Sequence, residues 1–329
     1  MPRRSGKDVL IIGARGVLGK LTADAFRETG WNVRAADRRA GPDQIELDLD
    51  SGESVADVLE EAELVINTVP HPRLLAERAV LERGGVLVNT SALPAAAARS
   101  LRAVAGGARG TVLMNAGLAP GVTNLVAADL LHHHPAAEEL EIVFTVSADA
   151  RRGPAGADFL YRRLTAVTRH HTRVIPLPEP FGERCCLGFA EGESAWLGGI
   201  AEARVVRLYI CIAEDAAHEE MLVLNRRGAM HRLPRSLLES VAPPGDGTPN
   251  AEPVAHWIGL GTRGRRLAAM TVQCRGDSLH AARSTVIFAQ AMQGPGLPGG
   301  CFDPEEICTL SQIESALRAA GVRVVSHAA

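Results

Sequence analysis

Short apolar runs alternate with helical spacing over the first 125 residues. Asp8–Ile12 (DVLII), 32–36, Leu64–Asn67 (LVIN), Val86–Asn89 (VLVN) and 111–115 (TVLMN) are continuous enough to predict buried parallel strands. Between them, apolar positions recur at helical spacing over 20–28, 51–61, 72–83 and 94–105, and again from Val122 to about His134. Gly30 and the Gly84-Gly85 pair are stop signals, and Ser51 is a helix cap. Short strands separated by helices predict βαβ units, and hence an α/β protein with a Rossmann-type doubly wound parallel sheet.

The pattern changes after Pro135. Residues 139–147 (ELEIVFTVS) alternate, as in a strand of an antiparallel-type sheet covered on one face; 204–212 and 267–274 are further strands. Residues 158–169 predict an amphipathic helix, and 242–253 (APPGDGTPNAEP) a turn-rich loop. Helical spacing returns over 284–292 and 311–320. Between these lie a GPGLPGG loop and Asp303 as a cap, and a strand follows at 322–325. The boundaries expected are therefore 1–126 for a nucleotide-binding domain and 127–285 for a second α+β domain. Residues 286–329 are expected to be a tail returning to the first domain.

Composition narrows the function classes. The chain carries 35 basic and 38 acidic residues, so no global field favours nucleic acid. No apolar run approaches the ~20 residues of a membrane span. The six cysteines show no CxxC spacing, which argues against structural zinc and a disulfide framework and for a reduced, cytoplasmic setting. Lys7 and Lys20 are the only lysines. Tyr161 and Tyr209 are the only tyrosines, and Thr165 and Ala213 stand four residues after them. A short-chain dehydrogenase relay of the Tyr-xxx-Lys type is thereby excluded.

The chemistry begins at Gly13-Ala14-Arg15-Gly16-Val17-Leu18-Gly19, a G-x-x-G-x-x-G turn between a strand and a helix. Gly13 permits a sharp turn, Gly16 clears room for a pyrophosphate, and Gly19 lets helix and strand approach. Asp37 ends the second strand about 20 residues after Gly16, where a carboxylate meets a ribose 2′-hydroxyl. Asp37 therefore favours NAD. Arg15, Arg38 and Arg39 are placed to pair with the extra phosphate of NADP, or are solvated loop charges. Asp48 is a candidate for the adenine edge, or a cap for the next helix.

These segments resemble a known family. GARGVLG, a second strand ending in ADRR, ELVINTVPH, GGVLVNTSA and VLMNAGLAPGVTN are similar to the saccharopine dehydrogenase superfamily, which includes carboxynorspermidine dehydrogenase and homospermidine synthase. The GLAPGVTN stretch at 117–124 resembles the family's G-x-x-PG turn, and CFDPEEICTLSQIESALRAAGVRV its C-terminal segment. The resemblance covers about residues 7–135 and 286–325. It implies NAD(P)-dependent hydride transfer at a C–N bond of an amino-acid- or polyamine-like substrate, usually in a homodimer. Two departures stand out: Ala119 replaces an acid common before the PG pair, and no lysine lies in the second domain. A proton must then come from His, Tyr, Cys, an acid or water.

Carboxyl ends of parallel strands line the ligand crevice of this architecture. His71 follows one such end and is the candidate catalytic proton donor, or a loop residue before the next helix. Asn67, Thr68 and Val69 at that end, and Asn89, Thr90 and Ser91 at the next, are candidate cofactor contacts. Asn115, Thr123 and Asn124 flank the GLAPG turn and are substrate candidates, as are Arg152 and Tyr161 in the second domain. Cys185-Cys186 reads as buried thiols before it reads as a redox pair. His132–134 and His170-His171 read as helix ends, with no metal site. A non-catalytic dinucleotide sensor and a reductase of C=O or C=C bonds are alternatives on the same scaffold.

Overall fold

The computed structural model describes residues 7–91, 93, 95–147, 153–189, 197, 199–200, 204–233, 252–294 and 296–327. They form two compact units. The first contains residues up to Gly121 together with Ala281–Cys308; the second contains Val122–His280 and Thr309–Ala329. The tail expected to return as one piece is thus divided at 308/309.

The first unit opens with strand β1 (Asp8–Ile12), helix α1 (Val17–Glu28), β2 (Asn32–Asp37) and the two-residue β3 (Ile45–Glu46). It continues with α2 (Gly52–Glu60), β4 (Leu64–Asn67), α3 (Leu75–Arg83), β5 (Val86–Asn89), α4 (Ala95–Val104) and β6 (Thr111–Leu113). Leu64–Asn67 is buried along its whole length, as a strand covered on both faces must be. One face packs Leu10, Ile12, Val65, Leu87 and Val112 against Val55, Leu59, Val80 and Leu101 of the helices. Ser51 caps α2, its Oγ accepting from Ser54 N at 3.3 Å. Helix α3 starts three residues later than its pattern predicts, because Leu74 adopts a left-handed conformation with φ 53°.

The second unit begins with α5 (Val122–His133), β7 (Glu139–Val146), α6 (Pro154–Thr165), β8 (Val167–Pro176), β9 (Glu183–Phe189), β10 (Val205–Ile212) and α7 (Asp215–Arg226). A short 3-10 turn at Met230–Arg232 precedes β11 (Pro253–Thr262), β12 (Arg265–Arg275) and α8 (Asp277–Ala291). The chain then adds β13 (Gly300–Phe302) and α9 (Pro304–Ile307) in the first unit, and α10 (Leu310–Ala319) and β14 (Arg323–His327) in the second.

The first sheet has the order β13-β6-β5-β4-β1-β2-β3, and every pairing is parallel. Apart from the added β13, this is the doubly wound order of dinucleotide-binding folds. The strand β13 was not legible in the GPGLPGG loop, being three residues bounded by glycine. Its register is secured by Asp303, which is fully buried. That carboxylate accepts from Asn115 Nδ2 at 2.8 Å and pairs with Arg102. Asp303 N in turn donates to Glu306 Oε2 at 2.7 Å, closing a capping box on α9.

The second sheet has the order β14-β12-β11-β7-β10-β9-β8. It is mixed, not wholly antiparallel as the alternation implied, because β7 and β10 pair in parallel at its centre. Buried positions on both faces of β7 explain the difference. The helix predicted to 169 ends at Thr165, whose Oγ1 donates back to Tyr161 O at 2.8 Å. The β-branched run that follows enters β8, so His170-His171 lies in a strand and not at a helix end. Most of the loop expected at 242–253 lies outside the described residues, and Pro253 already begins β11. Trp257 and Tyr209 anchor one apolar cluster of this unit, with Arg266 placed 5.0 Å over the Trp257 ring.

Replacing Asp303 with Ala strands Arg102 and Asn115 and removes the α9 cap. The expected loss is on the order of 3 kcal/mol by urea denaturation. A loss below roughly 1 kcal/mol would show that the tail is held by its backbone pairing alone.

Candidate dinucleotide and crevice site

The glycine turn is tied to the second strand. Gly13 N and Ala14 N both donate to Ala36 O, at 2.9 and 3.1 Å. Two of its glycines answer to the protein's own packing. A Cβ on Gly13 would lie 2.4 Å from Val69 Cγ2, and one on Gly19 only 2.0 Å from Gly13 O. Gly16 differs: a Cβ there would meet only Gly13 O, at 3.3 Å, and the residue is exposed. It is also the N-cap of α1, which has no side-chain cap and no acid in its first turn. The amides of Val17, Leu18 and Gly19 therefore open the helix without a side-chain partner, and the dipole favours an anion there. The residues present fit a dinucleotide pyrophosphate.

Asp37 stands beside this turn. Its Oδ2 accepts from Arg15 N at 3.1 Å and its Oδ1 from Arg39 N at 3.2 Å. The Arg15 guanidinium reaches Arg39 O. The structure thus brings together Asp37, Arg15 and the exposed Arg38-Arg39 pair. Asp48 is occupied differently: its Oδ1 accepts from Asp50 N at 3.0 Å, in the turn that leads into α2.

At the carboxyl ends of β4 and β5, Asn67 and Asn89 are register partners. Both side chains turn inward onto Glu77 of α3. Asn67 Nδ2 donates to Glu77 Oε1 at 2.7 Å, and Asn89 Nδ2 to the same oxygen at 2.6 Å. The other ends of the two amides hold the loops: Asn67 Oδ1 accepts from Val69 N, and Asn89 Oδ1 from both N and Oγ of Ser91. Thr68 Oγ1 donates to Ile12 O at 2.8 Å, and Thr90 N to Asn67 O at 3.0 Å. Glu77 is only 1% exposed, and burial raises its carboxyl above the ordinary range despite the donors from Asn67 and Asn89 and the nearby His71. The sequence reading missed Glu77, since an acid on a helix surface ordinarily signals solvent.

His71 follows on the β4 loop, half-buried. Its Nε2 lies 3.3 Å from Asp50 Oδ1, and its Nδ1 has no hydrogen-bond partner among the described residues. Arg73 donates to Asp50 O at 2.7 Å, so both side chains converge on Asp50.

The substrate candidates are divided between the two units. Asn115, with φ 54°, belongs to the first unit and is engaged by Asp303. Thr123 and Asn124 are fully buried in the second unit, and Tyr161 lies there on α6. Arg152 lies outside the described residues. Cys185 and Cys186 lie on β9 and are free thiols. A hydrogen bond with Cys211 and burial keep the Cys186 thiol protonated, which removes it as a nucleophile. His132 and His133 close the last turn of α5. Among the described residues no three His, Cys, Asp or Glu side chains are placed to hold a metal, and no helix is long and apolar enough to cross a membrane.

Comparisons with known proteins agree with this geometry. The model of the NAD dependent epimerase/dehydratase family matches residues 9–105. No curated protein matches the chain. Among solved structures, the chain is similar to apo saccharopine dehydrogenase (L-Glu forming) from Saccharomyces cerevisiae. The two are 13% identical with a TM-score of 0.61, over 98% of this chain and 100% of that one. It is also similar to the DAP dehydrogenase of C. glutamicum in complex with DAP. There the identity is 14% and the TM-score 0.51, over 95% and 99% of the two chains. At these identities the likeness establishes a shared fold, and it is the fold implied by the sequence resemblance to the saccharopine dehydrogenase superfamily.

The glycines separate folding from binding. Gly19→Ala drives a methyl into backbone and is expected to lower stability by roughly 3 kcal/mol. Gly16→Ala is expected to lose less than about 1 kcal/mol, yet to weaken dinucleotide binding at least tenfold. Thermal melts and a binding titration on both variants check this. Equal effects on both properties would remove the special role given to Gly16.

Glu77 also predicts a pH dependence. Its folded carboxyl titrates above the ordinary value of 4.5. The stability it contributes is therefore complete below that value and is lost as pH rises through the folded value. The stability difference between wild type and Glu77→Gln, from urea denaturation, should shrink as pH is raised from about 4 to 7. A difference that grows with pH would mean that Glu77 is ionised more easily in the fold than outside it.

Proposed function

We propose that this protein is an NAD(P)-dependent oxidoreductase of the saccharopine dehydrogenase type. It acts at a C–N bond, as imine or secondary amine, of an amino-acid- or polyamine-like substrate. The observation that carries this reading is Gly16: the chain's own packing leaves it open, at an uncapped helix start, with Asp37 at the neighbouring strand end. When bound, a nicotinamide dinucleotide supplies or accepts the hydride.

The chain's residues divide the remaining work. Residues 13–19 take the pyrophosphate, through main-chain amides more than side chains. Asp37 takes the adenosine ribose and favours NAD, since a 2′-phosphate beside it would be repelled. Arg15, Arg38 and Arg39 provide compensating charge if NADP is used. The β4 and β5 exits, Thr68-Val69 and Thr90-Ser91, face the other half of the cofactor with backbone, the Asn67 and Asn89 side chains being engaged by Glu77. His71 holds the transferable proton, with Asp50 orienting its ring. Thr123, Asn124, Tyr161 and Arg152 remain candidates for the substrate's polar groups. A homodimer in a reduced, cytoplasmic setting completes the reading.

The epimerase/dehydratase match covers the nucleotide-binding segment alone. A Tyr-xxx-Lys relay is not available, because neither tyrosine is followed by lysine at the fourth position. This favours an acceptor whose protonation needs a single donor.

Turnover is followed by stopped-flow loss of reduced-cofactor absorbance with a panel of keto acids and amines. Wild type is expected to oxidise the cofactor only when both partners are present. His71→Gln is expected to lower kcat roughly 100-fold while leaving cofactor affinity unchanged. A His71→Gln enzyme within a few-fold of wild type overturns the proton donor. Tight cofactor binding without turnover for any pair supports a sensor, and turnover with carbonyls alone supports a C=O reductase. Absence of saturable binding of either coenzyme overturns the whole reading.

A further inference from the structure

The Glu77 network contains a division of labour that the strands alone do not require. A single carboxylate oxygen receives both amide donors, Asn67 Nδ2 at 2.7 Å and Asn89 Nδ2 at 2.6 Å. The strands β4 and β5 are already paired in parallel, so their spacing does not depend on this bridge. What depends on it is the rotation of the two amides. Each asparagine spends its oxygen on the loop beyond its own strand: Val69 N at 2.9 Å in one case, Ser91 N at 2.7 Å in the other. Flip either amide, and its NH2 group faces a backbone N–H while its oxygen faces a carboxylate. Both contacts become repulsive. Glu77 Oε1 accepts from both amides at once and therefore dictates one orientation.

All three side chains are almost wholly excluded from water: Glu77 and Asn67 are 1% exposed and Asn89 is fully buried. Water therefore cannot substitute for a missing partner. A glutamine at 77 would still offer one acceptor. Its NH2 group would need a partner in the same closed space, and its amide could rotate to present that group to the asparagines.

We propose that Glu77 is a positioning residue: through Asn67 and Asn89 it sets the two crevice loops, 68–71 and 90–91, that receive the nicotinamide half of the cofactor. The inference deepens the dinucleotide reading and rests on it. The adenosine half meets other groups, Gly16 at the start of α1 and Asp37 at the end of β2. Loss of Glu77 should therefore act on one half of the ligand only. His71 lies on the first of the two loops, so its placement follows from the same anchor.

The test uses the whole chain and two probes, NADH and ADP, in calorimetric titrations. Wild type is expected to bind both. In Glu77→Gln the Kd for NADH is expected to rise roughly tenfold, the effect of about one positioning hydrogen bond. The Kd for ADP should stay within about twofold, a limit well below the tenfold effect. An unchanged NADH affinity overturns the proposal. So does a parallel loss of both ligands, which marks a general loosening of the fold. If Glu77→Gln does not fold, Asn89→Ser carries the same comparison, since it releases one loop and leaves Glu77 bound to Asn67. Again the NADH affinity must fall and the ADP affinity hold. Wild type that binds neither probe overturns the dinucleotide reading itself; wild type that binds both, with variants unchanged, overturns only the role of Glu77.

Discussion

The parallel ladder of the first unit continues past the ends of its strands, and the candidate site is built on that continuation. Gly13 N bonds to Ala36 O, Thr68 N to Ile12 O, Thr90 N to Asn67 O, and Ala116 N to Asn89 O. Four chain exits are thereby held in line at one edge of the sheet. Backbone at a strand end normally turns to water or to a side-chain cap. Here each exit is secured by the strand beside it, and the loops leave from fixed points. The backbone at these strand ends is thus positioned by folding itself.

Such an edge has to solve a problem of polarity. The loops carry N–H groups that the strands no longer satisfy, and the space beneath them is closed to water. Two buried acids provide the solution. Glu77 orients Asn67 and Asn89, and each asparagine then accepts from the loop beyond it. Asp303 binds Asn115 and Arg102 at the next strand exit. Burial raises both carboxyls above their ordinary range, opposed in each case by hydrogen-bond donors and, at Asp303, by the Arg102 guanidinium. An acid in such a place is expensive to desolvate, yet an oxygen that accepts from the amides is what fixes their orientation.

The second unit meets a different constraint. Its sheet is mixed, and the central β7–β10 pair is parallel because the chain passes through α6, β8 and β9 before returning. Glu141 of β7 is nearly buried and pairs with Arg173 of β8 at 2.7 Å, with Arg207 of β10 at 3.8 Å. Arg, His and Cys interrupt the apolar alternation of β8 and β9, which were not visible as strands in the amino-acid pattern, whereas β7, β10 and β12 were.

The amino-acid order by itself determined five of the seven strands of the first sheet and the glycine turn. Runs such as Leu64–Asn67 and Val86–Asn89 emerged with the bounds that hydrophobic continuity predicted. Gly13, Gly16 and Gly19 announced a strand–turn–helix, which is local and therefore legible along the chain. Only the tertiary structure decided where Glu77, Asp303 and the last 21 residues belong. Glu77 meets Asn67 and Asn89 across 10 and 12 positions, and Asp303 meets Asn115 across 188. Helical and strand periodicities report which face of an element is apolar. They carry no information on which distant polar group will share a buried space, because that is fixed by how whole elements pack.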